Sequence, residues 1–194
     1  MLKYMSISFG ALGFLAFCAA TLGAAPANPK VLMKTNKGDI TIELYQDKAP
    51  ISVKNFLAYV DEKFFDNTVI HRVSRGFVLQ GGGYTVEYHR KNPKAPIKNE
   101  AANGLSNKRY TLSMARPGEI DGATSQFFIN LKDNFELDHK INTPEGFGYA
   151  VFGAVVSGME IVDAIGNLPI MSKMGQREAP RENVIILSAS RIVT

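Results

Sequence analysis

From residue 30 onward, the chain alternates in short steps. In Asp39-Ile40-Thr41-Ile42-Glu43-Leu44-Tyr45, three aliphatic residues alternate with polar or amphipathic ones, a period of two that predicts a half-buried strand. Val31–Thr35 precedes it across Asn36-Lys37-Gly38, a turn tripeptide, so the two runs predict a hairpin. Six more β-rich runs follow: Thr68–Val73, Phe77–Gln80, Tyr110–Ala115, Phe127–Leu131, Tyr149–Val156 and Val184–Val193. The period changes twice. Val53, Phe56, Leu57 and Val60 are spaced i, i+3, i+4, i+7 behind Pro50, which predicts a helix starting near Ser52 as its N-cap. Met159–Ile165, closed by Gly166, predicts a second. Eight strands and two helices without regular β-α alternation predict a mainly β fold, an antiparallel barrel with helices over its ends.

Residues 1–27 have another character. One charge, Lys3, precedes an apolar run from Met5 to about Leu22, and Ala25-Pro26-Ala27 ends the segment in small residues. This is the layout of a secretory signal peptide cleaved before Asn28. A retained anchor fits less well, because Ser6, Ser8, Gly10 and Gly13 interrupt the run and no basic stop-transfer cluster follows. Bulky Phe17 in front of Cys18 argues against lipid attachment at that cysteine. The remaining chain, residues 28–194, is one domain with 21 basic and 18 acidic residues and no cysteine. Such composition suits an oxidising compartment, and the periplasm is the expected location, with no stable membrane insertion after processing.

Composition narrows the chemistry. Of the whole 194-residue chain, 45% is apolar and 21% charged, and the net charge is +4, an ordinary globular balance. One cysteine and three separated histidines, His71, His89 and His139, exclude a cysteine-based zinc site and offer no clustered metal ligands. No G-x-S-x-G accompanies them. His71, with Phe65 and Phe77 nearby, reads as a hydrogen-bonded structural histidine. Gly81-Gly82-Gly83 lacks the G-K-[ST] ending of a phosphate loop and reads as a tight turn after a strand. The basic residues 89–98, with Lys108, Arg109 and Arg116, read as a solvated face and not as a nucleic-acid site. The irregular stretches Gly81–Asn107, Arg116–Ser125 and Lys132–Phe147 are long enough to be functional. What remains is strands carrying one arginine amid apolar residues, with no acid–base pair or nucleophile beside it, a pattern suited to a reaction that makes and breaks no covalent bond.

Ile70-His71-Arg72-Val73-Ser74-Arg75-Gly76-Phe77-Val78-Leu79-Gln80-Gly81-Gly82 resembles the F-H-R-V-x-x-G-F-x-x-Q-G-G signature of the cyclophilin-type peptidyl-prolyl isomerases. Ser113-Met114-Ala115-Arg116, Thr124–Ile129 and Tyr149–Gly153 resemble the family's later motifs in the same order. The resemblance covers essentially all of residues 31–194, is nearest to the bacterial periplasmic members, and implies a closed eight-stranded barrel with two end helices. It implies rotation about X-Pro bonds of unfolded or partly folded polypeptides, by a monomer, with no cofactor, metal or nucleic acid.

By the same resemblance Arg72 is the donor to the prolyl nitrogen. Phe77, Val78, Phe128 and Leu137 match the proline pocket, Gln80 the residue that contacts substrate backbone and orients the arginine, and Ala115, Arg116 and Gln126 the contacts to residues before proline. Three positions depart from the family pattern: Glu136 stands where the best-known eukaryotic members have Trp, Tyr149 replaces a frequent pocket His, and Arg116 replaces a common Asn. The first departure implies weak inhibition by cyclosporin. A non-catalytic scaffold that binds proline-containing segments is the competing reading; it would be expected to have lost Arg72 or the pocket Phe, and the sequence keeps both.

Overall fold

The computed structural model describes residues 27–193; the leader segment lies outside the described residues. Eleven strands and two helices run in the order β1 (Lys30–Thr35), β2 (Gly38–Leu44), α1 (Pro50–Asp61), β3 (Thr68–Val69), β4 (Arg72–Ser74), β5 (Val78–Gly81), β6 (Thr111–Met114), β7 (Phe127–Asn130), β8 (Val151–Ser157), α2 (Met159–Gly166), β9 (Ile170–Lys173), β10 (Gln176–Pro180) and β11 (Ile185–Ile192). Nine strands form one antiparallel sheet, ordered β3-β11-β1-β2-β8-β6-β7-β5-β4. Its two ends are the two halves of one chain segment. Residues 68–69 pair with β11, and residues 72–74 pair with β5. The sheet therefore returns on itself as a nearly closed barrel of eight staves, interrupted at Ile70 and His71. Closure removes the free edges that an open sheet would expose.

The interior is aliphatic and aromatic. Phe56 of α1 packs on Phe65, Phe127 and Phe152 with ring centroids 5.1–5.5 Å apart, so the helix closes one end through the same cluster that fills the barrel. The helix starts at Pro50, not near Ser52. Proline at the first position lacks an amide hydrogen that would be unpaired there. The next two amides donate to Glu100, 49 and 48 residues downstream in the sequence: Ile51 N–H at 3.0 Å and Ser52 N–H at 2.8 Å, with Ser52 Oγ–H at 2.7 Å. A distant carboxylate thus replaces the local cap that the sequence suggested. Helix α2 starts where expected, after Gly158 at φ +85°.

The β9–β10 hairpin was not expected from the sequence. It forms a separate two-stranded sheet, turning at Met174-Gly175 with φ of +47° and +83°. Its residues are mostly exposed and lack the alternation that marks the barrel strands.

Candidate functional site

Period-two alternation decides which side chains leave the barrel interior. On β4 Val73 joins the core, while Arg72 and Ser74 face out. On β5 Leu79 points in and Val78 and Gln80 out; on β7 Phe127 and Ile129 point in and Phe128 out. The register then aligns the outward set. Arg72 pairs with Gln80, Gln80 with Phe128, and Phe128 with Ser113, one row across four adjacent strands. A one-residue slip would turn Arg72 into the core, so the hydrophobic pattern that fixes the barrel also fixes the arginine.

A cleft of about 200 Å³ lies over this row. It is lined by Arg72, Phe77, Val78, Gln80, Ala115, Arg116, Phe128, Leu137 and Tyr149, nine of the ten residues singled out in the sequence. Gln126, the tenth, lines an adjoining cleft of about 280 Å³ that shares Gln80, Ala115 and Arg116. The floor is apolar, with Val78 and Phe128 buried. Tyr149 meets Phe128 edge-on at 5.6 Å.

The polar rim is a hydrogen-bonded chain. Arg72 Nη1 donates weakly to Gln80 Oε1 at 3.4 Å, and Gln80 Nε2 donates to Gln126 Oε1 at 2.9 Å. Arg72 Nε donates to Glu178 Oε2 at 2.8 Å, and Ser74 Oγ donates to Glu178 Oε1 at 2.9 Å. Glu178 lies on β10 and was missed in the sequence, because the exposed hairpin carries no hydrophobic signal to place it.

Leu137 reaches the cleft on a short 3₁₀ turn, Phe135–Leu137, held from beneath by buried amides. Asn134 Nδ2 donates to Asn130 Oδ1 at 2.7 Å and to the Phe77 carbonyl at 2.9 Å. Asn130 Nδ2 reaches Asn107 Oδ1 at 3.2 Å. Asn107 donates in turn to Asp138 Oδ1, from its backbone N–H at 2.7 Å and its Nδ2 at 2.9 Å. Asn107, Asn130 and Asn134 have no exposed surface. The network fixes the loop because each bond broken would leave a buried group unpaired at about 1–3 kcal/mol, although within it Asn134 Oδ1 has no partner among the described residues.

Arg116, expected to contact residues before proline, lines the cleft and also holds its walls together. Its guanidinium donates to the carbonyls of Gly148 (3.0 Å), Gly118 (3.1 Å), Glu119 (3.2 Å) and Pro144 (2.6 Å), and stacks over Tyr149 at 5.0 Å. It lines the cleft as the pin between two loops. Gly148 makes the junction possible: with φ +80°, it brings its backbone so close to Asp138 and His139 that a Cβ would sit 2.7 Å from them.

Other singled-out residues fall elsewhere. Gly82 adopts φ +82°, and a Cβ there would stand 2.6 Å from the Ser125 carbonyl, so the triplet is a turn packed on its neighbour strand. His71 is buried, its ring tilted against Tyr84 with centroids 4.6 Å apart, and its Nδ1 has no hydrogen-bond partner among the described residues, unlike the hydrogen-bonded histidine expected. Burial, with a smaller push from Arg72, lowers its pKa to about 4. The basic residues disperse: Lys91 bonds the Phe64 carbonyl, Lys94 pairs with Glu62 at 2.6 Å, and Arg109 pairs with Asp163 at 2.9 Å. Among the described residues no group of three or more His, Cys, Asp or Glu could hold a metal ion, and no helix is long and apolar enough to cross a membrane.

The family model of cyclophilin-type peptidyl-prolyl cis-trans isomerases matches residues 30–191. A peptidyl-prolyl cis-trans isomerase of Acinetobacter baylyi is 47% identical over 188 residues, covering 97% of this chain and 95% of its own. Peptidyl-prolyl cis-trans isomerase B of Escherichia coli is 48% identical over 160 residues, covering 82% of this chain and 98% of its own. Among solved structures, a cyclophilin-type isomerase of Cryptosporidium parvum superposes with a TM-score of 0.70 at 26% identity, covering 86% of this chain and 99% of that one. The same protein, crystallised in the presence of the dipeptide Ala-Pro, gives 0.69 at 26% identity, covering 85% and 99%.

Proposed function

The chain belongs to the cyclophilin-type peptidyl-prolyl cis-trans isomerases, and we propose that it rotates X-Pro bonds in the cleft beneath Arg72, acting on exported polypeptides as they fold. An X-Pro bond prefers trans by only about 0.5–1 kcal/mol, yet it isomerises in tens to hundreds of seconds. The barrier, about 18–20 kcal/mol for a peptide bond, comes from losing amide resonance. Nothing covalent needs to change. Catalysis requires only that the twisted amide be bound better than either planar form.

Twisting returns a lone pair to the prolyl nitrogen, which becomes an acceptor. Arg72 is suited to meet it, because a guanidinium stays charged and presents donors in a rigid fork. Its Nη2 makes no hydrogen bond to another described residue, while Nε and Nη1 are engaged. One charge-assisted hydrogen bond contributes about 1.5–3 kcal/mol net. The remainder comes from holding the ring against Phe77, Phe128 and Leu137 while the preceding carbonyl turns, with Gln80 oriented by Gln126 to receive substrate backbone.

The observation that carries this reading is the cleft itself, an apolar floor beside one arginine with a free donor edge. The Ala-Pro dipeptide present in crystals of the Cryptosporidium relative has the required chemistry. A short Ala-Pro peptide titrated into labelled protein tests it. Resonances of Phe77, Phe128 and Leu137 should shift while cis–trans exchange of the peptide accelerates. Exchange without those shifts would move the site elsewhere.

We also propose export to the periplasm, on the leader-like pattern of residues 1–27. The family match begins at residue 30, directly after Ala25-Pro26-Ala27. Intact mass of protein from the periplasmic fraction should correspond to a start at Asn28, and membrane-bound chain retaining residues 1–27 would contradict export with cleavage.

A further inference from the structure

The β9–β10 hairpin leaves Ile170, Met171 and Met174 exposed, while β10 lies against β4 and its far end is buried. Ala179 has no exposed surface and packs with Val69 and Tyr88 in a small cluster separate from the main core. Lys173 Nζ ties the hairpin to its exit through Asn183 Oδ1 at 2.9 Å and the Arg181 carbonyl at 3.2 Å. Arg181 N–H closes the base on the Pro169 carbonyl at 2.8 Å. The residue before Ala179 is Glu178, so this satellite cluster sets where the carboxylate stands.

Both carboxylate oxygens are used, one by Arg72 Nε and the other by Ser74 Oγ. Arg72 and Ser74 are two residues apart on β4 and lie on one face, so a single carboxylate spans them. Its rotation is thereby fixed, and with it the plane of the guanidinium.

We propose that Glu178 is a positioning residue for Arg72: the hairpin carries a carboxylate that holds the guanidinium plane so that its unbonded Nη2 edge faces the substrate. This rests on Arg72 being the donor to the prolyl nitrogen. Two effects of the pair oppose each other. Orientation favours catalysis, whereas a carboxylate 2.8 Å from the guanidinium offsets the positive charge that the lone pair sees. About a third of each side chain remains exposed, so water screens the charge effect. A long side chain released from its tether loses its alignment outright, and misplacement by 1 Å can cost about a hundredfold in rate. Orientation prevails.

The test compares Glu178→Ala, Glu178→Gln and Ser74→Ala with wild type, alone and in an Arg72→Ala background. Glu178→Ala should lower kcat about tenfold, with KM within twofold. Glu178→Gln keeps an acceptor for Nε–H and should stay within about threefold. Ser74→Ala keeps the ion pair, frees one oxygen and should fall between them. In the Arg72→Ala background none of the three should lower the rate further. The Arg72 Nε–H resonance should shift and exchange faster with solvent in Glu178→Ala. Unchanged kcat in all three variants with only a lower Tm would reduce the pair to a structural contact. Faster catalysis by both Glu178 variants would make the carboxylate a damper of charge. A loss that persists in the Arg72→Ala background would separate Glu178 from Arg72. If Arg72→Ala alone matches wild type, the assignment of Arg72 fails first, and this outcome is distinct from the other three.

Discussion

Glu136 sits on the exposed face of the 3₁₀ turn, 3.9 Å from Lys132, while its neighbour Leu137 lines the cleft. A Trp at this position would lend an N–H donor and a flat apolar surface to the cleft edge; a carboxylate offers only acceptors. Losing its hydration beneath an apolar macrocycle costs more than it would for a neutral polar group, about 1–3 kcal/mol. Cyclosporin should therefore inhibit the isomerase weakly, and Glu136→Trp should tighten inhibition at least tenfold in the same assay. Tight inhibition of the wild type, or no gain in Glu136→Trp, would show that this edge does not control the drug. Nine of the ten site residues, assigned in the sequence through the family motifs, share one cleft: Arg72, Val78, Gln80 and Phe128 by strand alternation, and Leu137 from the 3₁₀ turn. Glu178 escaped that reading. Its position comes from a hairpin whose residues are mostly exposed, and its partner Arg72 is 106 residues away.

The elements show the same division. Barrel strands were legible to within a few residues, because one side of each faces an apolar interior. The start of α1 was not. Ser52 has the chemistry of a cap, but the first free amides are met by Glu100, which no local pattern connects to residue 50. Capping by a carboxylate also complements the helix dipole. Glu100→Ala should lower unfolding free energy by about 1–2 kcal/mol, the usual scale for a lost cap, and Glu100→Gln by less. Urea unfolding followed by circular dichroism measures this. Unchanged midpoints in both variants would mean that water replaces the carboxylate without loss.

For the whole molecule, the barrel that presents Arg72 also buries its neighbour His71. The folded pKa of about 4 lies below the unfolded value near 6.5, so the unfolded chain binds the proton more tightly. The stability contributed by neutral His71 is fully present above pH 6.5 and is lost as pH falls toward 4, up to about 3 kcal/mol at ~1.4 kcal/mol per pKa unit. His71→Gln should flatten the pH dependence of unfolding between pH 6.5 and 4. An equally steep dependence in that variant would place the titrating group elsewhere. Arg72 is a different matter, since it faces out of the barrel and its removal is expected to leave the fold intact. Measuring kcat/KM for a short X-Pro peptide with wild type, Arg72→Ala and Arg72→Lys, each with normal circular dichroism, tests the central claim most directly. Arg72→Ala should lose at least tenfold, equivalent to about 1.4 kcal/mol, and Arg72→Lys should also be impaired, because a point charge on a flexible stem does not reproduce the fork. Activity of either variant within about twofold of wild type, only ~0.4 kcal/mol, would contradict the assignment of Arg72 to the twisted amide.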